Sequence, residues 1–247
     1  MILTFHALEN ESAPEAFPPW LFARGMAILR DLGFRAVGLP EWIAGIAGTA
    51  LPERAFVLTF DDGYRSIVEP LGTLLESSGW SATVFLTAGE LHPGVRQERL
   101  FGRALMRWEE AVALGRAGAA FGAHSLTHPD LTRLSPTRVE AEVRGSKNLI
   151  EERLGATVSS FAYPFGRLDR RTGLLVRSAY DCACTDRLAI AGSRDDRWAL
   201  PRVDAHYLRS ERGFAALAAR WFPIYVRARA GPRRLRRAVA GRFRARP

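Results

Sequence analysis

The sequence is short of several features that would have narrowed its role at once. It has only two cysteines, Cys182 and Cys184, among 247 residues, so no disulfide framework and no cysteine-rich metal module holds it together. The strand-like run Tyr180-Asp181-Cys182-Ala183-Cys184 points both thiols to one face. A bridge at that spacing would be strained, so they read as two small buried apolar residues. No apolar run reaches the roughly 18 residues that a membrane span needs. Met1-Ile2-Leu3-Thr4-Phe5 reads as a strand rather than a leader, because no basic segment or long apolar core accompanies it. The expected location is therefore cytoplasmic. There is no internal repeat, no Ser/Gly linker and no recognised nucleic-acid module, so specific nucleic-acid binding is not expected.

Acids are missing from the end of the chain. From Trp221 onward there are nine arginines (Arg227, Arg229, Arg233, Arg234, Arg236, Arg237, Arg242, Arg244 and Arg246) and no Asp or Glu. The formal charge of +9 sits wholly in this segment, since the preceding 220 residues carry 26 basic and 26 acidic side chains. The body is neutral and its high pI says nothing about a site.

What is present is an alternation of strand-like and helix-like segments. Candidate strands are Ile2–His6, Arg35–Leu39, Ala55–Phe60, Ala82–Thr87, Ala120–His124, Val158–Tyr163, Tyr180–Thr185 and Leu200–Asp204. Candidate helices are Trp20–Leu32, Pro40–Gly48, Ser66–Ser78, Arg107–Ala117, Pro136–Leu154, Arg170–Arg177 and Glu211–Trp221. The clearest is Pro136–Leu154, with Ser135 as N-cap, Pro136 at the first helical position and Gly155 as the stop. Strands separated by helices imply a largely parallel α/β sheet. Residues 1–220 read as one domain and residues 221–247 as a tail.

Three stretches carry chemistry. In Thr59-Phe60-Asp61-Asp62-Gly63 two adjacent carboxylates follow the apolar run Ala55–Leu58. Such a pair at a buried strand end repels and resists desolvation unless a cation or hydrogen-bond donors compensate it. It also lies where α/β folds place their chemistry. In His124-Ser125-Leu126-Thr127-His128 two imidazoles follow a run of small residues. Thr127 and Asp130 have the spacing of a capping box that would fix the turn between them. Two histidines and a carboxylate suit a catalytic divalent metal with positions left open. In Phe161-Ala162-Tyr163-Pro164-Phe165-Gly166 a strand ends in an abrupt turn that can present a backbone N–H, that of Phe165, to an oxyanion.

In this order and at these separations, the three stretches resemble the polysaccharide deacetylase family, the NodB-homology domain of carbohydrate esterase family 4. Leu3-Thr4-Phe5-His6 is similar to the family's opening strand, Ala82–Leu86 to its third strand, and Leu200-Pro201-Arg202-Val203 to the Leu-Pro-Arg segment of its exopolysaccharide branch. The resemblance covers residues 1–204. It implies an α/β fold of the distorted (β/α)7 barrel type and hydrolysis of N-acetyl groups on hexosamine glycans. It also implies a metal, expected to be Zn²⁺, on Asp62, His124 and His128. Asp61 would be the general base and the Phe165 N–H an oxyanion donor.

The family pattern breaks in two places. The third motif normally begins with an Arg that orients the base, and here Ala162 stands there. Arg202 is the candidate substitute, reaching Asp61 from another strand. The family's Leu-x-His motif, which supplies a general acid, has no clear copy. His206 and His6 are the candidates, and His92 reads as an exposed loop residue. Two further readings stay open: hydrolysis of other non-peptide C–N bonds on the same fold, and a degenerate barrel that binds glycan without catalysis. In the tail, Trp221, Phe222, Ile224, Tyr225 and Val226 precede the arginines. That order fits a peripheral anchor on an anionic membrane surface, at the inner face for a cytoplasmic protein; a disordered solubilising tail and a non-specific binder of anionic glycan or nucleic acid are the alternatives.

Overall fold

The computed structural model describes residues 1–11, 13, 15–91 and 99–231. His92 and the seven arginines from Arg233 to Arg246 lie outside the described residues. Eight parallel strands form the frame: β1 (Ile2–Phe5), β2 (Arg35–Ala36), β3 (Ala55–Phe60), β4 (Ala82–Leu86), β5 (Ala119–Ala123), β6 (Ser160–Ala162), β7 (Cys182–Leu188) and β8 (Leu200–Asp204). Their hydrogen-bonded order is β1-β8-β7-β6-β5-β4-β3, and β3 pairs again with β1. Seven strands thus close a barrel, while β2 adds to β3 outside the ring. Closure leaves no free edge among the seven.

Helices α1 (Pro19–Asp31), α2 (Leu39–Ile46), α3 (Val68–Ser78), α4 (Trp108–Arg116), α5 (Pro136–Leu154), α6 (Arg170–Ala179) and α7 (Glu211–Ala216) occupy the connections. The caps of α5 are those expected: Ser135 accepts from the Arg138 N–H, and Gly155 ends the helix at φ 62°. Two expectations needed adjusting. The strand expected over Arg35–Leu39 stops at Ala36, because Leu39-Pro40 already opens α2. The helix expected over Glu211–Trp221 ends at Ala216, and a second helical stretch covers residues 222–231. Pro223 explains the break, since proline is tolerated in a first helical turn but not in a helix interior. The second stretch buries Phe222, Val226 and Ala230 in the main core, so packing extends past residue 220.

Strand alternation sorts the side chains into two cores. Leu3, Phe56, Leu58, Phe60, Val84 and Phe161 face outward under the helices. Ile2, Val57, Phe85, Ala162, Cys182, Cys184 and Leu200 form a separate inner cluster. The two cysteines are buried free thiols, as expected from their small size and shared face. Continuing the inner period of two carries Ile2 to Thr4 and His6, Val57 to Thr59 and Asp61, and Leu200 to Arg202 and Asp204. The barrel therefore delivers a polar layer at the C-terminal ends of its strands, above an apolar inner cluster.

Candidate active site

That polar layer lines a cavity of about 340 Å³, with Asp61, Asp62, His124, His128, Phe165 and Arg202 among its walls. Asp61 leaves β3 with its N–H bonded to the Phe5 carbonyl across the barrel seam, 3.0 Å away. Its carboxylate meets Arg202 in a bidentate pair, Nη1 to Oδ1 and Nη2 to Oδ2 both at 2.6 Å. Arg202 also donates from Nε to the Thr185 carbonyl at 2.9 Å and from Nη1 to Thr59 Oγ1 at 3.3 Å. Burial alone would raise the Asp61 pKa. The guanidinium outweighs it and holds the carboxyl well below the usual carboxylate range. Ala162, where the family pattern has Arg, is buried in the inner cluster, and the guanidinium reaching Asp61 comes from β8.

Asp62 turns the other way. Its backbone sits at φ 71°, and its Oδ1 lies 3.5 Å from His124 Nε2 and 3.4 Å from His128 Nε2. That oxygen is buried and has no hydrogen-bond partner. A buried, orphaned carboxylate oxygen facing two imidazole nitrogens is costly unless a cation joins them. The three ligand atoms lie within 4.8 Å of one another. Two ligands at about 2.1 Å from a tetrahedral ion stand roughly 3.4 Å apart, which matches the separations of Asp62 Oδ1 from the two histidine nitrogens. Asp62, His124 and His128 therefore fit a divalent metal.

The imidazoles are prepared for that task. His124 Nδ1 lies 2.7 Å from the Ala162 carbonyl. Donation there puts the proton on Nδ1 and leaves the Nε2 lone pair toward Asp62. Burial pushes His128 down to about 3, so it is neutral at ordinary pH and its ring can ligate. The turn between the two histidines is not the capping box expected of Thr127 and Asp130. Ser125 Oγ accepts from the His128 N–H at 2.9 Å instead. Asp130 caps the following short helix through Thr132 and pairs with Arg167. Thr127 turns inward because a stronger acceptor is available there. The buried Glu142 of α5 takes the N–H of Leu126 and the N–H of Thr127, each at 2.9 Å, and the Thr127 hydroxyl at 2.7 Å. Glu142 was not foreseen from the sequence, where it reads as one more charge on an amphipathic helix.

Phe165 sits in the turn after β6 at φ 57°. The bonds of that turn run from the Gly166 N–H to Tyr163 and from the Arg167 N–H to Pro164, so they do not consume the Phe165 N–H. Gly166 cannot be replaced: a Cβ there would lie 2.0 Å from the Asp186 carboxylate. Among the described residues, the non-glycine positions with positive φ are Asp62, Phe101, Ser125, His128 and Phe165, and all five line or brace this site. Each costs on the order of 1 kcal/mol, a cost that the described residues concentrate around this site.

The two candidate acids differ in position. His6 Nε2 is 3.8 Å from Asp61 Oδ2 and its side chain is 24% exposed. Burial would lower its pKa, but the carboxylates of Asp61, Asp62 and Asp204 outweigh burial and raise it. His206 lines the rim of the cavity on the short helix after β8, exposed, with its ring 5.5 Å from that of Tyr207.

Residues 48–180 match the family model described as polysaccharide deacetylase. Among known sequences, the chain is 23% identical over 204 residues to YxkH of Bacillus subtilis, a protein named for the same family; the match covers 82% of this chain and 70% of that one. It is 33% identical over 87 residues to the poly-beta-1,6-N-acetyl-D-glucosamine N-deacetylase of Escherichia coli; that match covers 32% of this chain and 12% of the relative. Among solved structures, Streptococcus pyogenes deacetylase PplD in complex with acetate superposes with a TM-score of 0.74 at 24% identity, covering 82% of this chain and 90% of that one. IcaB from Ammonifex degensii gives 0.72 at 23% identity, covering 87% and 96%. At those identities the superpositions speak for the barrel alone.

Proposed function

The chain belongs to the polysaccharide deacetylase family, and from that premise we propose that it removes N-acetyl groups from an N-acetylhexosamine glycan, releasing acetate and a free amine. The single observation carrying this reading is the division of labour in the Asp61-Asp62 pair: one carboxylate faces an arginine and the other faces two histidine nitrogens. A non-catalytic glycan-binding barrel has no use for that arrangement, because it buries two like charges side by side without return.

We infer zinc as the ion, since two neutral imidazoles and one carboxylate are the donors zinc favours, with positions left open. Bound there, the ion acts as a Lewis acid toward the amide carbonyl and the attacking water. The remaining work falls to the chain. Asp61, kept ionised and oriented by Arg202, accepts the proton of the attacking water. The Phe165 N–H donates to the oxygen on which charge develops. His6, closer to Asp61 than the rim residue His206, is the better placed group to protonate the departing amine. The Leu200-Pro201-Arg202 segment supports a role in exopolysaccharide or envelope glycan assembly.

The described start of the tail supports peripheral binding at an anionic membrane surface. Helical residues 222–231 bury one face, and Trp221 and Ile224 on the other side are 55% and 67% exposed beside exposed Arg227 and Arg229. No helix among the described residues is long and apolar enough to cross a membrane.

Acetate release from β-1,6-linked N-acetylglucosamine oligomers and lipid-linked N-acetylhexosamines tests the assignment, with Asp61→Asn as control. Release by the wild type that the variant lacks supports it, and no release across the panel overturns it.

A further inference from the structure

Phe101 is the feature that the reaction does not use. It follows the strand Arg99–Leu100 and precedes Arg103–Ala104, which pair antiparallel with Leu100 opposite Arg103. The two residues between them, Phe101 and Gly102, have φ of 48° and 81°, the signature of a type I′ hairpin turn. That turn calls for Asn, Asp or Gly at its first position, and a phenylalanine there is strained. Its side chain earns no burial in exchange, being 53% exposed.

The ring nonetheless has a fixed place. It lines the cavity, 5.3 Å from the His128 ring and 6.4 Å from the Phe165 ring, and Phe165 is itself 45% exposed. The hairpin is tied to the loop that carries the metal ligand. Leu105 forms an antiparallel bridge with Tyr64, and the Met106 N–H donates to the Gly63 carbonyl at 2.9 Å. Arg103 anchors the other side through Glu9 at 2.9 Å. A strained, exposed aromatic held rigidly at the mouth of a polar site marks a ligand contact.

Resting on the deacetylase reading, we propose that Phe101 and Phe165 form a stacking platform for the pyranose ring next to the sugar being deacetylated, so that the substrate is an oligomer. The cavity of about 340 Å³ is at the small end of the roughly 300–1,000 Å³ range of ligand pockets. It holds one hexosamine, and neighbouring units of a chain must lie over the rim. There the Phe101 face, negative at the π cloud, meets the weakly positive C–H hydrogens of a pyranose face, and the Phe165 ring, tilted 59° to it, closes the side of that contact.

The test compares wild type, Phe101→Asn and Phe101→Trp on the monomer and the pentamer of β-1,6-linked N-acetylglucosamine. Asn-Gly suits the turn, so Phe101→Asn should unfold at a higher temperature than wild type. It should also raise KM for the pentamer roughly three- to tenfold and lower kcat/KM by less on the monomer than on the pentamer. Phe101→Trp should keep the pentamer KM. An unchanged pentamer KM in Phe101→Asn, an equal loss on monomer and pentamer, or a lowered unfolding temperature would each overturn the platform. If the wild type releases no acetate from either sugar, the deacetylase reading fails by itself. Calorimetric binding of the pentamer then decides the platform: weaker binding by Phe101→Asn supports it, and equal or absent binding sinks it.

Discussion

Arg202 grips Asp61 with both terminal nitrogens, each 2.6 Å from its own carboxylate oxygen, and both side chains are buried. The pair answers the question raised by two adjacent acids at a strand end. One is neutralised by a guanidinium from the far side of the barrel seam, and the other is left for a cation.

Removing one partner of such a pair strands the other. Arg202→Ala should cost roughly 3–5 kcal/mol of stability, because it leaves an uncompensated buried carboxylate. The double variant Arg202→Ala with Asp61→Ala should recover most of that loss. Arg202→Lys keeps the charge but not the fork, so turnover should fall while most stability remains. Denaturant unfolding together with acetate-release kinetics separates these outcomes. Wild-type stability in Arg202→Ala would show that the pair is not the anchor described.

Glu142 should govern metal affinity without being a ligand. It accepts three hydrogen bonds from Leu126 and Thr127, and so braces the loop whose ends carry His124 and His128. Glu142→Ala should weaken zinc binding about 10- to 100-fold, and Asp62→Asn should abolish tight binding. Competition with a chromophoric chelator reads both directly. At a free zinc concentration of 100 times Kd, the wild type should gain about 2.7 kcal/mol of stability. A Glu142→Ala protein with undiminished affinity would mean that the loop is braced elsewhere.

The two buried thiols make an alkaline prediction. Burial pushes Cys184 from 9.0 up to about 12, and pushes Cys182 up as well. Below pH 9 the thiols are protonated in both states and change nothing. Above it the unfolded chain ionises first, so stability is lost as pH rises from 9 toward the folded values, by about 1.4 kcal/mol per thiol per pH unit. A Cys182→Ala, Cys184→Ala protein should show a shallower fall between pH 9 and 10. Parallel curves for the two proteins would contradict this account.

The exposed face of the tail should carry membrane binding. Liposomes containing about a third anionic lipid should co-sediment the full chain. They should lose a chain in which Trp221 and Ile224 are Ser and Arg227 and Arg229 are Gln, because interfacial aromatics and polybasic charge act together. The loss should grow with salt, since screening weakens the charge contribution. Equal sedimentation of both proteins would leave the arginines a different role.

Much of this molecule was legible in its sequence, for reasons that are local. A strand shows itself by a short apolar run, a helix by its caps and period, and a strand-end site by carboxylates and imidazoles set just after the apolar residues. Asp61, Asp62, His124 and His128 each lie within two residues of such an end or on the turn that follows it, so their convergence is a consequence of parallel strands alone. The turn between the histidines was misread, because the acceptor that displaced the expected capping box belongs to α5.

The sequence by itself thus determined the order of the elements, the acid pair and the three residues that come together as a candidate metal site. Only the tertiary structure decided what completes them. Arg202 meets Asp61 across 141 positions. His6 stands beside Asp61 because β1 closes on β3, with Phe5 opposite Phe60. Glu142 reaches the histidine loop from a helix, and Phe101 reaches His128 from a hairpin. These contacts depend on barrel closure and strand register, which bring together side chains far apart in the chain, and no local periodicity encodes which of many similar charges will be opposite one another.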